Sequence, residues 1–190
     1  GKPFAAADPK EAIEKGISVV YQEFNLNPNT AIYENIFQGR EIKKGKFTLD
    51  QAEMIRKTRE YMKQIGFEGD PRTLVEDLSV AQKQMVEIMK AVSTNAKILV
   101  LDEPTAAITD KETEMLFKIV RELKAKGLGI VYISHRMEEL FEIGDRCTVM
   151  RDGLAVKTLE LAESNVDNLT ELMVGRRVTF DKIENPPVDY

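Results

Sequence analysis

A chain of 190 residues has the length of one domain, or of one domain with an insertion, which excludes an elaborate multidomain machine. Hydrophobic residues at 43% and charged residues at 31% form an ordinary globular balance, with enough apolar surface for a packed core. The 27 basic and 32 acidic residues leave a net charge of -5, which argues against a domain held to nucleic acid by broad cationic attraction and leaves room for a local phosphate site.

The start, Gly1-Lys2-Pro3-Phe4, carries neither an apolar signal core nor an initiator Met, and no window offers the ~18 consecutive apolar residues of a membrane span. A soluble piece of something longer is expected. Ile17 to Tyr21 is a short apolar run rich in β-branched residues and predicts a strand buried on both faces. From about Ala31 to Thr94 no strand pattern stands out. That stretch holds a helical segment from about Asp50 to Ile65, bounded by Gly66 and the Gly69-Asp70-Pro71 breaker, and reads as a helical insertion. A second helix follows, with Met85, Ile88, Met89 and Val92 on one face.

Ile98 to Leu101 is the next buried strand, then a helix with Leu116, Ile119, Val120 and Leu123 on one face, then a strand from Ile130 to Ile133. Strands alternating with helices imply a parallel α/β sheet. A short helix is expected from Arg136 to Phe141. Cys147 to Arg151 and Leu154 to Thr158, separated by Asp152-Gly153, predict a β-hairpin. Cys147 is the only cysteine, so an intrachain disulfide and the four-thiolate zinc sites are excluded, and a reducing compartment is expected. From Arg176 to Tyr190 helical periodicity is lost around Asn185-Pro186-Pro187, the composition of a linker.

In open parallel sheets ligands bind beyond the carboxyl ends of the strands, so the residues after each run are the candidates. Gln22-Glu23 follows the first, Asp102-Glu103-Pro104-Thr105 the second, and Ser134-His135-Arg136 the third. An acid at the tip of an apolar strand suits Mg²⁺ held through water, and a second acid beside it can orient or deprotonate an attacking water in phosphoryl transfer. The plainer alternative makes Asp102 a turn cap and Glu103 a solvated side chain. His135, the only histidine, can donate to a γ-phosphate or hold the attacking water from that place, while Ser134 can simply cap the following helix. Gln22 can coordinate Mg²⁺ through its amide oxygen; in isolation it reads as structural. Ser79 with Gln82 fits the S-x-x-Q capping box, and the same uncovered helix N-terminus is suited to an anion. Local sequence does not separate those two readings.

In this order, Gln22, Leu78-Ser79-Val80-Ala81-Gln82, Ile98 to Thr105 and Ser134-His135 resemble the Q-loop, signature motif, Walker B strand and switch histidine of an ABC transporter ATPase. Val80-Ala81 in place of the usual Gly-Gly, continued as Gln82-Lys83-Gln84-Met85-Val86-Glu87-Ile88, most resembles the monosaccharide (ribose/galactose/xylose-type) import subfamily, whose subunits carry two nucleotide-binding domains in tandem. Gly16 to Phe24, Val131 to Phe141 and Met173-Val174-Gly175-Arg176 share that likeness. The intact acid pair and the Pro-rich end make it similar to the first of the two domains.

The resemblance implies an α/β fold, an incomplete P-loop NTPase core of the ABC type with an inserted helical subdomain. Its parts would be 1–34 as partial core with the Q-loop, 35–95 as helical subdomain ending in the signature motif and its helix, 96–175 as core with Walker B and switch histidine, and 176–190 as linker. It implies ATP and Mg²⁺ as cofactors. Asp102 would help hold the metal, with Gln22 linking the metal site to the membrane subunit; Glu103 would be the catalytic base or water-orienting acid, and His135 would contact the γ-phosphate and water. Ser79, Ala81 and Gln82 would contact ATP bound on an opposing domain. Partners would be membrane permease subunits, a second ATPase domain and, indirectly, a periplasmic sugar-binding protein, with no nucleic acid, at the cytoplasmic face of the bacterial inner membrane. The alternatives are a soluble ABC-type ATPase of DNA repair or translation, and a non-catalytic interaction module.

Two departures stand out. Thr109 occupies the place where many ABC ATPases carry the D-loop aspartate, with Asp110 one residue late. No G-x-x-x-x-G-K-[S/T] occurs in the chain; the nearest imitation, Gly39 to Gly45-Lys46, has one residue too many and ends in Phe47. Without that loop the backbone cradle and phosphate lysine are missing, so these 190 residues alone are expected to hydrolyse ATP negligibly. The aromatic adenine contact of the family would lie upstream of Gly1.

Overall fold

The computed structural model describes residues 5–45 and 48–174; the predicted linker 176–190 lies outside them. The chain divides into two compact units, one ending at His135 and one beginning at Arg136.

The first unit runs α1 (Pro9–Glu14), β1 (Ile17–Val20), α2 (Ile32–Phe37), β2 (Lys43–Lys44), β3 (Thr48–Leu49), α3 (Gln51–Ile65), α4 (Val80–Val92), β4 (Ile98–Asp102), α5 (Asp110–Ala125) and β5 (Gly129–Ile133). β1, β4 and β5 form a parallel sheet in that spatial order, with Val19 opposite Val100 and Val100 opposite Val131. The expected α/β alternation is present. The helix expected from about Asp50 is α3, with the Asp50 side chain accepting from the Glu53 N–H and Gly66 closing the C-terminus at φ 69°, the left-handed conformation in which glycine carries no Cβ penalty.

The sheet departs from expectation in its burial. Ser18, Val20, Leu99 and Leu101 point to one face and are buried, whereas Val19, Ile98, Val131 and Ile133 on the other are 38 to 48% exposed. Register explains the division, since side chains alternate across a strand. α4 and α5 lie on the buried face: the Thr94 hydroxyl just beyond α4 meets the Ser18 hydroxyl at 2.7 Å, and Phe117 of α5 packs edge-on against Tyr132 at 6.3 Å. The strands are therefore covered on one face, not both, among the described residues.

α2, α3 and α4 pack on one another around Ile32, Ile36, Met54, Met62, Val86 and Met89, all at most 3% exposed. Because α4 meets α2 and α3 and also β1, its burial extends past the predicted apolar face to Gln84, Val86 and Glu87. The absence of strands expected between Ala31 and Thr94 needs one correction. β2 and β3 pair antiparallel, Lys43 opposite Leu49 and Lys44 opposite Thr48; two residues per strand are too few to write a period into the sequence.

The second unit holds α6 (Met137–Ile143), β6 (Arg146–Arg151), β7 (Leu154–Glu160) and α7 (Val166–Val174). β6 and β7 make the predicted hairpin, turned by Asp152 at φ 52° and Gly153 at φ 78°, the pair of positive φ values that matches a two-residue turn to strand twist. Val149, Leu161 and Leu169 are its buried centre, with Leu140, Phe141 and Leu159 packed around them. α6 begins one residue later than expected, after an extended Arg136 that gives no side-chain cap, so Ser134 is not its cap.

Candidate functional site

Parallel order brings three strand ends to one edge of the sheet. β1 releases Gln22, β4 ends in Asp102, and β5 is followed by Ser134 and His135. Asp102 stands opposite Ile133 in the ladder, and the Glu103 N–H donates to the Ile133 carbonyl at 2.9 Å. That bond carries Glu103 to the end of β5, where its Oε1 lies 3.1 Å from His135 Nδ1. An Nδ1–H donated to the carboxylate leaves Nε2 as an acceptor, and protonation makes the contact an ion pair. The His135 side chain is 70% exposed and that of Glu103 31%, so both remain open to a ligand.

Gln22 and Asp102 meet differently. Together with Tyr21, Glu23, Phe24 and Asn25 they line an open hollow of ≈ 430 Å³. An amide oxygen and a carboxylate on one hollow are hard oxygen donors. Glu103 and His135 are not in that lining, and the Asp102-Glu103 peptide joins the two pairs. Glu103 sits at φ 44°, a left-handed conformation that costs a non-glycine residue roughly 1–3 kcal/mol and clusters at functional sites.

Ser79 and Gln82 are engaged with each other. The Gln82 N–H donates to Ser79 Oγ at 3.2 Å and the Ser79 N–H to Gln82 Oε1 at 2.9 Å, the full capping box at the head of α4. Ser79 stays exposed, while Ala81 is buried at 8% exposure. Thr109 caps α5 in the same manner, accepting from the Glu112 N–H and donating to Glu112 Oε2 at 2.9 Å.

A family model described as ABC transporter matches residues 1–106, more than half of the sequence. The chain belongs to the ABC transporter family. Among its relatives, a ribose import ATP-binding protein, RbsA 2, of Burkholderia pseudomallei is 44% identical over the whole chain, and a galactose/methyl galactoside import ATP-binding protein, MglA, of Haemophilus influenzae is 45% identical over 98% of it. The chain spans only 37% of the length of each. Among solved structures, a nucleotide-free ATP-binding cassette from an ABC transporter aligns at TM-score 0.70 and 25% identity over 80% of this chain and 64% of that one. The cassette MJ1267 aligns at 0.72 and 24% over 87% and 71%. The ABC cassette fold, with its parallel sheet and packed helices, is thereby the fold of this chain. No described helix is long and apolar enough to cross a membrane.

One group of residues escaped the motif reading. Glu87 of α4 is 6% exposed and accepts from the Asn25 N–H at 2.5 Å; the Lys90 ammonium donates to the Asn25 carbonyl at 2.8 Å. Burial pushes the Glu87 carboxyl above its ordinary value, opposed by the Asn25 N–H and by Lys90. Glu and Lys three apart on a helix read as an exposed pair, and the only signal to the contrary is that Glu87 stands between Val86 and Ile88.

Proposed function

We propose that this chain is an ATP-binding and ATP-hydrolysing part of a bacterial importer of simple sugars. The observation that carries the reading is the meeting of Glu103 and His135 at 3.1 Å beside the hollow that Gln22 shares with Asp102. Glu103 orients and deprotonates the attacking water, and His135, oriented by Glu103, turns its exposed ring toward the water and the γ-phosphate. Asp102 and Gln22 are the residues that would hold Mg²⁺. The described residues contain no cluster of three or more His, Cys, Asp or Glu suited to a metal, and two oxygen donors fit an ion that keeps several waters and takes the rest of its shell from substrate phosphates. When bound, Mg²⁺ neutralises charge developing on the phosphates. Ser79 and Gln82 present the head of α4 to ATP on an opposing domain. The names of the relatives, ribose and galactose import proteins, support the substrate class. Permease subunits, a second ATPase domain and a place at the cytoplasmic face of the membrane follow from the same reading.

The test uses a hybrid in which this sequence replaces the matching segment of the Burkholderia RbsA 2 relative, assayed beside the 190-residue chain. The hybrid is expected to hydrolyse ATP, the chain alone to show negligible turnover. Glu103→Gln in the hybrid keeps ATP binding and loses hydrolysis by about 10²-fold or more, the scale of general-base catalysis. Equal turnover in the two hybrids removes Glu103 from the mechanism, and Glu103-dependent turnover by the chain alone overturns the need for a separate phosphate grip.

A further inference from the structure

We propose that Glu87 and Lys90 are positioning residues for Gln22: from α4 they hold the peptide groups of Asn25 and so set where the loop leaving β1 carries the Gln22 side chain. Both backbone polar groups of Asn25 are taken, the N–H by Glu87 Oε1 at 2.5 Å and the carbonyl by Lys90 Nζ at 2.8 Å. Two residues further on, Asn35 of α2 does the same for Asn27. Its Oδ1 accepts from the Asn27 N–H at 2.7 Å and its Nδ2 donates to the Asn27 carbonyl at 3.1 Å; Asn35 is 1% exposed.

At the other end of the segment, Val20 is 1% exposed and paired with Leu101 in the sheet. Tyr21 to Phe24 are exposed between these fixed points. Asn25 lies three steps along the chain from Gln22, a reach of at most ~11 Å, so the place at which Asn25 is held limits where Gln22 can stand. A carboxylate withdrawn from water to this degree is costly unless it is hydrogen-bonded and paired. Its partners here belong to the loop and to Lys90, not to the packing of α4 on its neighbouring helices. The Asn25 grip thus gives a physical reason for an acid in this buried position.

The proposal rests on the ATPase reading for the importance of Gln22, and its experiment contains no nucleotide. In the full chain, amide exchange at Asn25 and the side-chain amide resonances of Gln22 are followed by NMR in wild type, Glu87→Ala, Glu87→Gln and Lys90→Met. Glu87→Ala is expected to speed Asn25 exchange by about tenfold or more, the loss of one hydrogen bond to a charged acceptor, and to move the Gln22 resonances. Glu87→Gln keeps an acceptor of the same shape and restores both toward wild type.

A lowered melting temperature with the Gln22 resonances in place identifies Glu87 as a stabilising residue only and overturns the proposal. If Glu87→Ala does not fold, Lys90→Met, which removes one ammonium from a helix surface, decides by the same resonances: movement supports the clamp and their persistence overturns it. A hybrid without ATP turnover would sink the ATPase reading and leave these resonances informative; unmoved resonances sink the clamp and leave the ATPase reading intact.

Discussion

Glu103 occupies the only positive-φ position at the strand-end site, at 44°, and it is also the residue proposed to handle the attacking water. Held there by the Ile133 carbonyl, the backbone stores roughly 1–3 kcal/mol that glycine would not, against about 0.4–1 kcal/mol that glycine forfeits through its freer unfolded chain. Glu103→Gly is therefore expected to stabilise the chain by about 1 kcal/mol while removing the carboxylate. Thermal melts check it, and a lower melting temperature would place the strain elsewhere. Glu87 carries a second expectation, on pH. Its folded carboxyl titrates above its ordinary value of 4.5 because of burial, so the folded state binds the proton more tightly than the unfolded state does. Protonation then favours folding, and this contribution is present at low pH and fades as pH rises from about 4.5 through the raised folded value. Melting temperature measured against pH should fall more steeply over that window in wild type than in Glu87→Gln, and equal slopes would show that Glu87 titrates normally.

On the scale of elements, α4 poses the question that sequence left open, since its head satisfies both the capping and the anion reading. The box between Ser79 and Gln82 accounts for Ser79 without any ligand, at about 1 kcal/mol for its loss to alanine. Ser79→Asp separates the readings: aspartate is an equally good cap and suits the positive end of the helix, but it would repel a phosphate. The melting temperature should hold or rise in Ser79→Asp while ATP turnover of the hybrid falls, and unchanged turnover would leave Ser79 as a cap only. The same physics marks what the sequence shows and what it hides. The sheet was legible because Ile17 to Tyr21, Ile98 to Leu101 and Ile130 to Ile133 are apolar runs rich in β-branched residues with polar groups at one end, and parallel order alone then gathers Gln22, Asp102 and His135. The open face of Val19 and Val131 was not, because an apolar run does not say whether both faces are covered. Neither was the Asn25 grip, which depends on bonds across 62 and 65 positions. Thr109 read as a departure from the family pattern, and the structure supplies its local occupation as the cap of α5.

Across the whole molecule, the division at His135 and Arg136 leaves the candidate site residues in the first unit and a small separate core in the second. That core has three buried side chains, Val149, Leu161 and Leu169, and Leu169 is 1% exposed. Removing its branched end takes away the transfer free energy of the buried carbons and leaves a cavity in the cluster. Leu169→Ala is therefore expected to cost about 2–5 kcal/mol, felt by the unit that contains it. Each unit has its own buried centre, so hydrogen exchange should report the loss locally. Amides of β6 and β7 should lose protection, while those of β1, β4 and β5 keep theirs and the Glu103–His135 contact persists. Equal loss of protection in both sets of strands would show that the two units unfold as one, and a change at Leu169 would then bear on the strand-end site as directly as a change in β4.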